Sequence, residues 1–208
     1  MPSPNNYWAF LKAGYTLREL GFAFVRLKVC SSIWTRIKYS FRRRGARVLI
    51  DYTVDIAGSR FIEIDDDSWL QRNVWLTVPL ISMNSIADKT YILIGKRVHI
   101  GRNSFIAASN NIELADDVLI GPYVTIVDHT HQQDDPERPI RDQGITQTGF
   151  VKIARGAWIG AGATILGHRG ITIGENAVVA ADAVLTKDLH AHHIAVGNPA
   201  QIKKKSDR

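Results

Sequence analysis

An aliphatic residue recurs at every sixth position over most of this chain, and this spacing constrains the fold more than any other feature. The series is clearest at Ile94, Ile100 and Ile106. With two slips of two residues and one long interruption, it continues at Leu114, Ile120, Ile126, Ile153, Ile159, Ile165, Ile173, Val179 and Leu185. An amphipathic helix repeats about every 3.6 residues and an alternating strand about every two, so neither produces this period.

The period of six has a direct structural meaning. Each unit makes one short strand and one turn, and three units return the chain above itself as a triangular coil. The aliphatic residues then point inward, and stacked coils form one apolar column that no coil could bury alone. A weaker version of the series begins at Ile50 and Ile56. We therefore predict a mainly β, parallel solenoid over residues 47–202.

Three segments carry a resemblance to a known family. They are "VKIARGAWIGAGATIL" (151–166), "ITIGENAVVAADAVLTKDL" (171–189) and "AVGNPAQIKK" (195–204). They resemble the hexapeptide-repeat acyltransferases, in the branch of maltose, galactoside and polysaccharide O-acetyltransferases. The resemblance implies a left-handed parallel β-helix, a homotrimer with each active site between two coils, and acetyl-CoA as co-substrate.

The two ends of the chain lack the six-residue period. Residues 7 to about 41 carry apolar residues at three- and four-residue steps with basic residues between them, which predicts one bent helix or two. We expect residues 1–46 to form a basic amphipathic helical segment and residues 203–208 a basic tail. The helical segment either lies on a membrane surface or packs on the solenoid or a neighbouring subunit.

Charge and composition narrow the environment. The net charge is +6, and basic residues cluster at Arg36, Lys38, Arg42, Arg43, Arg44 and Arg47. Such clusters attract phosphates or form a solvated face. The basic run lacks interleaved stacking aromatic residues in a groove-like arrangement, which argues against nucleic acid. A single cysteine, no signal peptide and no apolar membrane span predict a cytoplasmic protein, with peripheral contact at the inner membrane surface as an option.

The longest interruption of the repeat, residues 128–150, is the candidate active-site loop. A regular coil offers few reactive groups, so function is expected in such an insertion. Acyl transfer to a hydroxyl needs a base, and histidine titrates near neutral pH. His129 leaves the coil directly after the Ile126 unit, and "DHTH" (128–131) resembles the family motif that carries the general base. We predict that His129 is this base.

Several residues are candidates for supporting roles around His129. A carboxylate usually orients such a base, and Asp128, Asp134 and Asp135 are the candidates, with Asp128 preferred. The family's acceptor-binding asparagine aligns with Ala107, so acceptor recognition is expected to differ here. The acceptor-binding candidates are His131, Asn103 and Asn110.

The small-residue patches "GAGA" (160–163) and "AADA" (180–183) offer room for the extended arm of coenzyme A. By the resemblance, the acetyl-CoA-binding candidates are Trp158, Ala161, Ala181, Thr186, Lys187 and Lys204. The backbone N–H near Gly160 or Ala161 is the oxyanion candidate. Gln201 stands where the family commonly has an arginine.

These features predict an acetyl-CoA-dependent O-acetyltransferase that acts on a sugar of a bacterial surface polysaccharide or its precursor, with no metal required. One alternative is an N-acetyltransferase on an amino or nucleotide sugar. Others are a zinc hydratase like the γ-carbonic anhydrases, which needs convergent histidines, and a non-catalytic solenoid scaffold.

Overall fold

Three parallel sheets run side by side along the chain. The computed structural model describes residues 34–79, 88–146 and 149–204. Sheet A holds β1 (Arg43–Arg44), β4 (Ile62–Ile64), β7 (Ile92–Ile94), β10 (Ile112–Leu114), β13 (Val151–Ile153) and β16 (Ile171–Ile173). Sheet B holds β2 (Leu49–Ile50), β5 (Trp69–Leu70), β8 (His99–Ile100), β11 (Leu119–Ile120), β14 (Trp158–Ile159), β17 (Val178–Val179), β19 (His193–Val196) and β20 (Gln201–Lys204). Sheet C holds β3 (Asp55–Ala57), β6 (Trp75–Thr77), β9 (Phe105–Ala107), β12 (Thr125–Val127), β15 (Thr164–Leu166) and β18 (Val184–Leu185).

The strands follow the order A, B, C six times, so the described chain makes six coils with three corners each. We call these corners A–B, B–C and C–A. The strands pair in parallel between successive coils, as in Ile106↔Ile126↔Ile165 on sheet C. This arrangement confirms the predicted parallel β-solenoid. The left hand of the coil stays a prediction from the resemblance.

The core is the column of aliphatic residues that the six-residue period predicts. All twelve members of the main series, from Ile94 to Leu185, are at most 2% exposed. The weaker early positions are buried as well, with Ile50 at 0% and Ile56 at 8%. Because each inward side chain contacts the equivalent side chains of the coils on either side, burial is shared between neighbours. The stability of any coil therefore depends on the next.

The N-terminal boundary differs from the prediction. Residues 1–33, which include most of the predicted helical segment, lie outside the described residues. In the described part, helix α1 (Thr35–Lys38) ends earlier than the predicted residue 41, and Tyr39 is extended. The Tyr39 side chain is buried and its hydroxyl donates to the Val54 carbonyl at 2.8 Å. This packing against the first coil overrides the helical pattern.

The solenoid also starts and ends at other residues than 47 and 202. Strand β1 at Arg43–Arg44 pairs with Glu63 and Ile64 of β4, so the first coil begins inside the predicted helical segment. At the other end β20 (Gln201–Lys204) folds back antiparallel on β19, which places Lys203 and Lys204 in a strand. Residues 205–208 of the predicted tail lie outside the described residues.

Most side chains of the basic cluster at the start of the solenoid are paired within the chain. Arg43 bonds to Glu63 and Asp65, and Arg47 bonds to Asp67 through both carboxylate oxygens. Arg42 contacts Asp88 at 2.6 Å. These pairs leave less free positive charge for phosphates than the sequence indicates. The described helices include none with the length and apolar character needed to cross a membrane.

Alternating charges form a ladder along corner A–B. Arg47, Asp67, Arg97 and Asp117 occupy the same turn position in coils 1 to 4, all with positive φ. Arg97 donates to both carboxylate oxygens of Asp117, at 2.5 and 2.8 Å. Hydrogen bonds from the arginines lower the pKa of Asp67 and of Asp117. The ladder links coils at the outer surface, whereas the aliphatic column links them in the core.

Candidate functional site

The chain leaves the solenoid once between β12 and β13, at corner C–A. The excursion begins at Asp128 and folds back on itself as a hairpin. Thr146 N–H donates to the Thr130 carbonyl at 2.8 Å, and Gln132 N–H donates to the Gly144 carbonyl at 3.0 Å. His131 forms a bridge with Ile145 between these bonds. The root of the loop is therefore held firmly beside the coil that it leaves.

Asp128, the first residue of the excursion, is fully buried and accepts several hydrogen bonds. The backbone N–H groups of Ser109, Asn110 and Asn111 each donate to its carboxylate at 2.8 Å. The Ser109 hydroxyl lies 3.2 Å from Oδ1 as a further donor. These three residues form the same corner one coil earlier. Three successive N–H groups pointing at one carboxylate make an anion-binding turn.

This turn keeps Asp128 ionised. Burial by itself raises the pKa of the carboxyl group, because it disfavours the charged form. The bond to His129 and the three backbone N–H groups lower the pKa, and their combined effect is the larger. A buried carboxylate that is satisfied in this way can serve as a permanent hydrogen-bond acceptor.

His129 is the residue that this carboxylate orients. Its Nδ1 lies 2.9 Å from Oδ1 of Asp128, and its side chain is 14% exposed. Since an ionised carboxylate only accepts, Nδ1 carries the proton in this contact. The lone pair of the neutral imidazole is then on Nε2, which is the arrangement that a general base requires.

Gly149 closes the loop against the same carboxylate residue. A Cβ atom there would lie 1.8 Å from the Asp128 carbonyl oxygen and 2.4 Å from that of Gly167. The Asn110 side chain also donates to the Gly149 carbonyl at 2.8 Å. Ser109, Asn111 and Gly149 are thus site residues that sequence reasoning missed. The only sequence signal was the pair of asparagines before Ile112, which it did not connect to Asp128.

The other carboxylates considered for orienting the base do not contact it. Asp135 is engaged inside the loop, where its Oδ1 accepts the Glu137 N–H at 3.0 Å and its carbonyl accepts from the Gln143 side chain at 2.8 Å. Asp134 is exposed in the same segment. Among the described residues, Asp128 is the carboxylate in contact with the His129 ring.

The three acceptor-binding candidates occupy different places. His131 is exposed on the hairpin that follows His129. Asn110 lies in the turn that holds Asp128, and its Oδ1 accepts from Lys89 Nζ at 2.8 Å. Asn103 lies at corner B–C and accepts from the Asn73 side chain at 3.0 Å. Within one chain, Asn103 is therefore at another corner than His129.

The oxyanion candidates also lie at corner B–C, on the fifth coil. The Gly160 N–H donates to the Val179 carbonyl at 2.7 Å, so it belongs to the solenoid and is not available to a ligand. This corrects the prediction for Gly160. Within the described residues, the N–H of the exposed Ala161 has no such intrachain acceptor. Ala161 stays the predicted donor.

The predicted acetyl-CoA residues spread over the surface of the last coils. Ala161 and Ala181 are exposed one above the other at corner B–C, and Trp158 is 49% exposed on the outer face of sheet B. Thr186 and Lys187 follow β18 at corner C–A. Lys204 pairs with His193 at the far side of sheet B. One chain does not bring these candidates to a single surface.

Convergent histidines for a metal are not found in the part of the chain that the structure describes. No group of three or more His, Cys, Asp or Glu side chains there is arranged to hold a metal ion. His99 instead stacks on Trp69 with ring centroids 4.7 Å apart, and burial lowers its pKa. His190 and His193 pack against each other on the last turn, with ring centroids 5.7 Å apart.

Known proteins share both the sequence pattern and the fold. Residues 151–187 match the family described as the hexapeptide repeat of succinyl-transferase. The chain is 38% identical over 110 residues to a probable acetyltransferase of Mycobacterium tuberculosis, covering 53% of this chain and 36% of that protein. It is 37% identical over 120 residues to the galactoside O-acetyltransferase of Lactococcus lactis, covering 53% of this chain and 54% of that protein. The chain thus spans about a third to a half of the length of these two relatives.

A solved structure has the same architecture. It is AntD, an N-acyltransferase from Bacillus cereus, in complex with dTDP and coenzyme A, and it superposes with a TM-score of 0.69. The sequences are 22% identical, and the match covers 83% of this chain and 89% of the other. At this identity the likeness concerns the fold alone.

Proposed function

We propose that this chain, which matches the hexapeptide-repeat family over residues 151–187, is an acetyltransferase that transfers the acetyl group of acetyl-CoA to a hydroxyl group of a sugar. The observation that carries the proposal is the Asp128–His129 contact at the root of the loop, with Nδ1 bonded to the carboxylate and Nε2 left as the base. The galactoside O-acetyltransferase relative supports a sugar hydroxyl as acceptor. We further propose that the sugar belongs to a bacterial surface polysaccharide or its precursor.

The arrangement supports direct attack of the sugar hydroxyl on the thioester, followed by breakdown of the tetrahedral intermediate. Nε2 of His129 takes the proton of the sugar hydroxyl while the hydroxyl oxygen attacks the thioester carbonyl carbon. The tetrahedral oxyanion that forms needs a fixed N–H donor, and Ala161 is the proposed one. When the carbon–sulfur bond breaks, coenzyme A leaves as a thiolate and the imidazolium of His129 can return the proton to it. Asp128 stays ionised and stabilises the imidazolium.

A homotrimer would complete the site. His129 lies at corner C–A between the fourth and fifth coils, whereas Ala161 and Ala181 lie at corner B–C of the fifth and sixth. A second copy that sets its corner B–C against corner C–A of the first would bring base and donor site together. The small side chains of Ala161 and Ala181 leave room for the extended arm of the co-substrate at such an interface.

The decisive experiment is His129→Ala, assayed by release of coenzyme A thiol with sugars that offer a hydroxyl or an amino group. We expect the turnover number to fall by about 10²- to 10⁴-fold, with acetyl-CoA affinity in calorimetry nearly unchanged. His190→Ala, which removes an exposed histidine on the last turn, is the matched control and should retain turnover. Retained turnover in His129→Ala would remove His129 as the base.

The same assay tests the acceptor group and the assembly. Faster transfer to amino sugars than to hydroxyl sugars would favour N-acetylation, the reaction class of the AntD neighbour. For the assembly, His129→Ala is mixed with Ala161→Trp, which fills the proposed donor site. If each site combines two chains, the mixed oligomer regains activity that neither variant has alone. Absence of recovery would place the whole site on one chain.

A further inference from the structure

A groove of about 590 Å³ runs beside the Asp128–His129 pair, along corner C–A. Its described lining consists of Lys89, Thr90, Asn110, Asn111, Phe150, Lys152 and Thr172. These residues belong to four successive coils, from the one that begins with β7 to the one that begins with β16. With neighbouring strands about 4.8 Å apart, the groove is about 14 Å long. Its volume lies in the usual range for ligand sites.

The wall of this groove is the turn that holds the catalytic carboxylate. The backbone N–H groups of Asn110 and Asn111 donate to Asp128, which in turn contacts His129. The side chains of the same two asparagines line the groove. The groove and the base are therefore connected through Asn110, Asn111 and Asp128.

The lining has the chemistry of a sugar site with a charge preference. The lining carries amide and hydroxyl groups, of which those of Asn110, Asn111 and Thr90 also bond within the chain, and the apolar Phe150 ring. The only charged side chains in the described lining are Lys89 and Lys152, and both are positive. They lie two coils apart, about 10 Å along the groove. An acceptor with a negative group would be held by Lys89 at one end or by Lys152, one coil from the other end.

Neither lysine is consumed by a strong ion pair. Lys89 Nζ donates to Asn110 Oδ1 at 2.8 Å, which uses one of its three protons. Lys152 Nζ lies 3.9 Å from Glu113 Oε1, and both side chains are about half exposed. Such a loose, solvated pair contributes little, so Lys152 can turn to a ligand. Glu113 is also held by the Asn111 side chain, at 2.6 Å.

We infer that this groove is the acceptor subsite and that the acceptor sugar carries a negative charge, either a carboxylate or a phosphate, which Lys89 and Lys152 bind. The inference rests on the proposed function and gives its acceptor a chemical class. It also accounts for Ala107 at the place where the family has an acceptor-binding asparagine, since recognition has moved to the neighbouring turn and strand.

The test is a binding titration of the wild-type protein, followed by nuclear magnetic resonance, with three matched probes. These are galactose, galacturonic acid and galactose 6-phosphate, which share the sugar ring and differ at C6, where they carry a hydroxymethyl group, a carboxylate and a phosphate ester. We expect at least one acidic probe to bind about tenfold tighter than galactose. The tighter of the two identifies carboxylate or phosphate as the preferred group.

Variants then assign the effect to the groove. Lys89→Gln combined with Lys152→Gln should weaken binding of the preferred acidic probe about tenfold. Lys96→Gln, which removes one lysine charge at corner A–B, is the control and should bind as the wild type does. Equal binding of galactose, unchanged binding by the double variant, or no binding of either acidic probe would each overturn the inference.

A separate titration of the wild type with acetyl-CoA keeps the two proposals apart. Failure to bind acetyl-CoA would remove the proposed acetyltransferase, whatever the sugars do. Acetyl-CoA binding together with no preference for acidic sugars would leave the acetyltransferase standing and remove only the charged-acceptor inference.

Discussion

Oδ1 of Asp128 and Nδ1 of His129 lie 2.9 Å apart although the two residues are neighbours in the chain. Successive side chains in a strand point to opposite faces and could not make this contact. It forms because β12 ends at Val127, so both residues belong to the turn by which the loop leaves the solenoid. The Asp128–His129 contact is thus possible because β12 ends one residue before Asp128.

Asp128→Asn is expected to lower the turnover number by about 10²- to 10⁴-fold, because an amide no longer favours the required tautomer of His129. The amide NH₂ group would also face a backbone donor at either position, Ser109 N–H in place of Oδ1 or the N–H groups of Asn110 and Asn111 in place of Oδ2. Steady-state kinetics across pH 6–9 measures the loss. Turnover within twofold of the wild type would show that Asp128 does not orient the base.

Asp128→Asn should also change how the free energy of unfolding depends on pH. The folded-state pKa of Asp128 lies below its unfolded value, so its contribution is fully present above about pH 4 and declines as the pH falls through the folded pKa. We expect Asp128→Asn to lower the free energy of unfolding by about 1–3 kcal/mol at pH 7. Urea denaturation at fixed protein concentration from pH 3 to 8 measures the difference in unfolding free energy between wild type and variant. This difference should be constant at neutral pH and become smaller only at acid pH.

Gly149→Ala is expected to disrupt the root of the loop. The added Cβ meets backbone oxygens of Asp128 and Gly167, which cannot move aside as a flexible side chain would. We expect a loss of about 3 kcal/mol or more, together with lower activity. Gly144→Asn is the comparison, since its φ of 91° strains any side chain but the nearest atom to a Cβ there is 4.0 Å away, so the loss should be smaller. Thermal melting compares the two variants, and equal melting temperatures would contradict the packing argument.

Ile126→Ala tests the aliphatic column. Its side chain is fully buried between Ile106 and Ile165, so truncation leaves a cavity that should cost about 2–5 kcal/mol. Leu119→Ala on the same coil removes a side chain that is 42% exposed and should cost about 0.5 kcal/mol or less in the isolated chain. Chemical denaturation of both variants provides the measurement. A larger loss for Leu119→Ala would mean that its outer face is covered by another subunit.

Arg97→Gln tests the charge ladder at corner A–B. It removes the bidentate bond to Asp117, whose pKa is lowered in the folded chain. We expect a small drop in melting temperature that persists down to about pH 4 and shrinks below it, as Asp117 becomes protonated. High salt should reduce the drop, because the pair is exposed. A drop in melting temperature that does not change with pH or salt would mean that the arginine acts through packing alone.

The sequence alone predicted the fold because the period of six is a local pattern with one structural solution. Every aliphatic position of the series is inward and buried, as the triangular coil requires. The sequence also indicated where the regularity stops and that His129 stands at the break. It was less reliable at the N-terminal end, where the basic pattern predicted helix through Phe41 but Tyr39 packs extended against the first coil.

What only the tertiary structure decided is which groups meet across coils. Asp128 is held by residues 17 to 19 positions earlier, because one coil returns the chain to the same corner. The stacking of coils also brings the Gly160 N–H to the Val179 carbonyl, to which it donates. Asn103 lies at another corner than His129. The repeat specifies the shape of each coil, since its period decides which side chains point inward. Hydrogen bonds between coils depend on register and on where the loop leaves, which the period by itself does not specify.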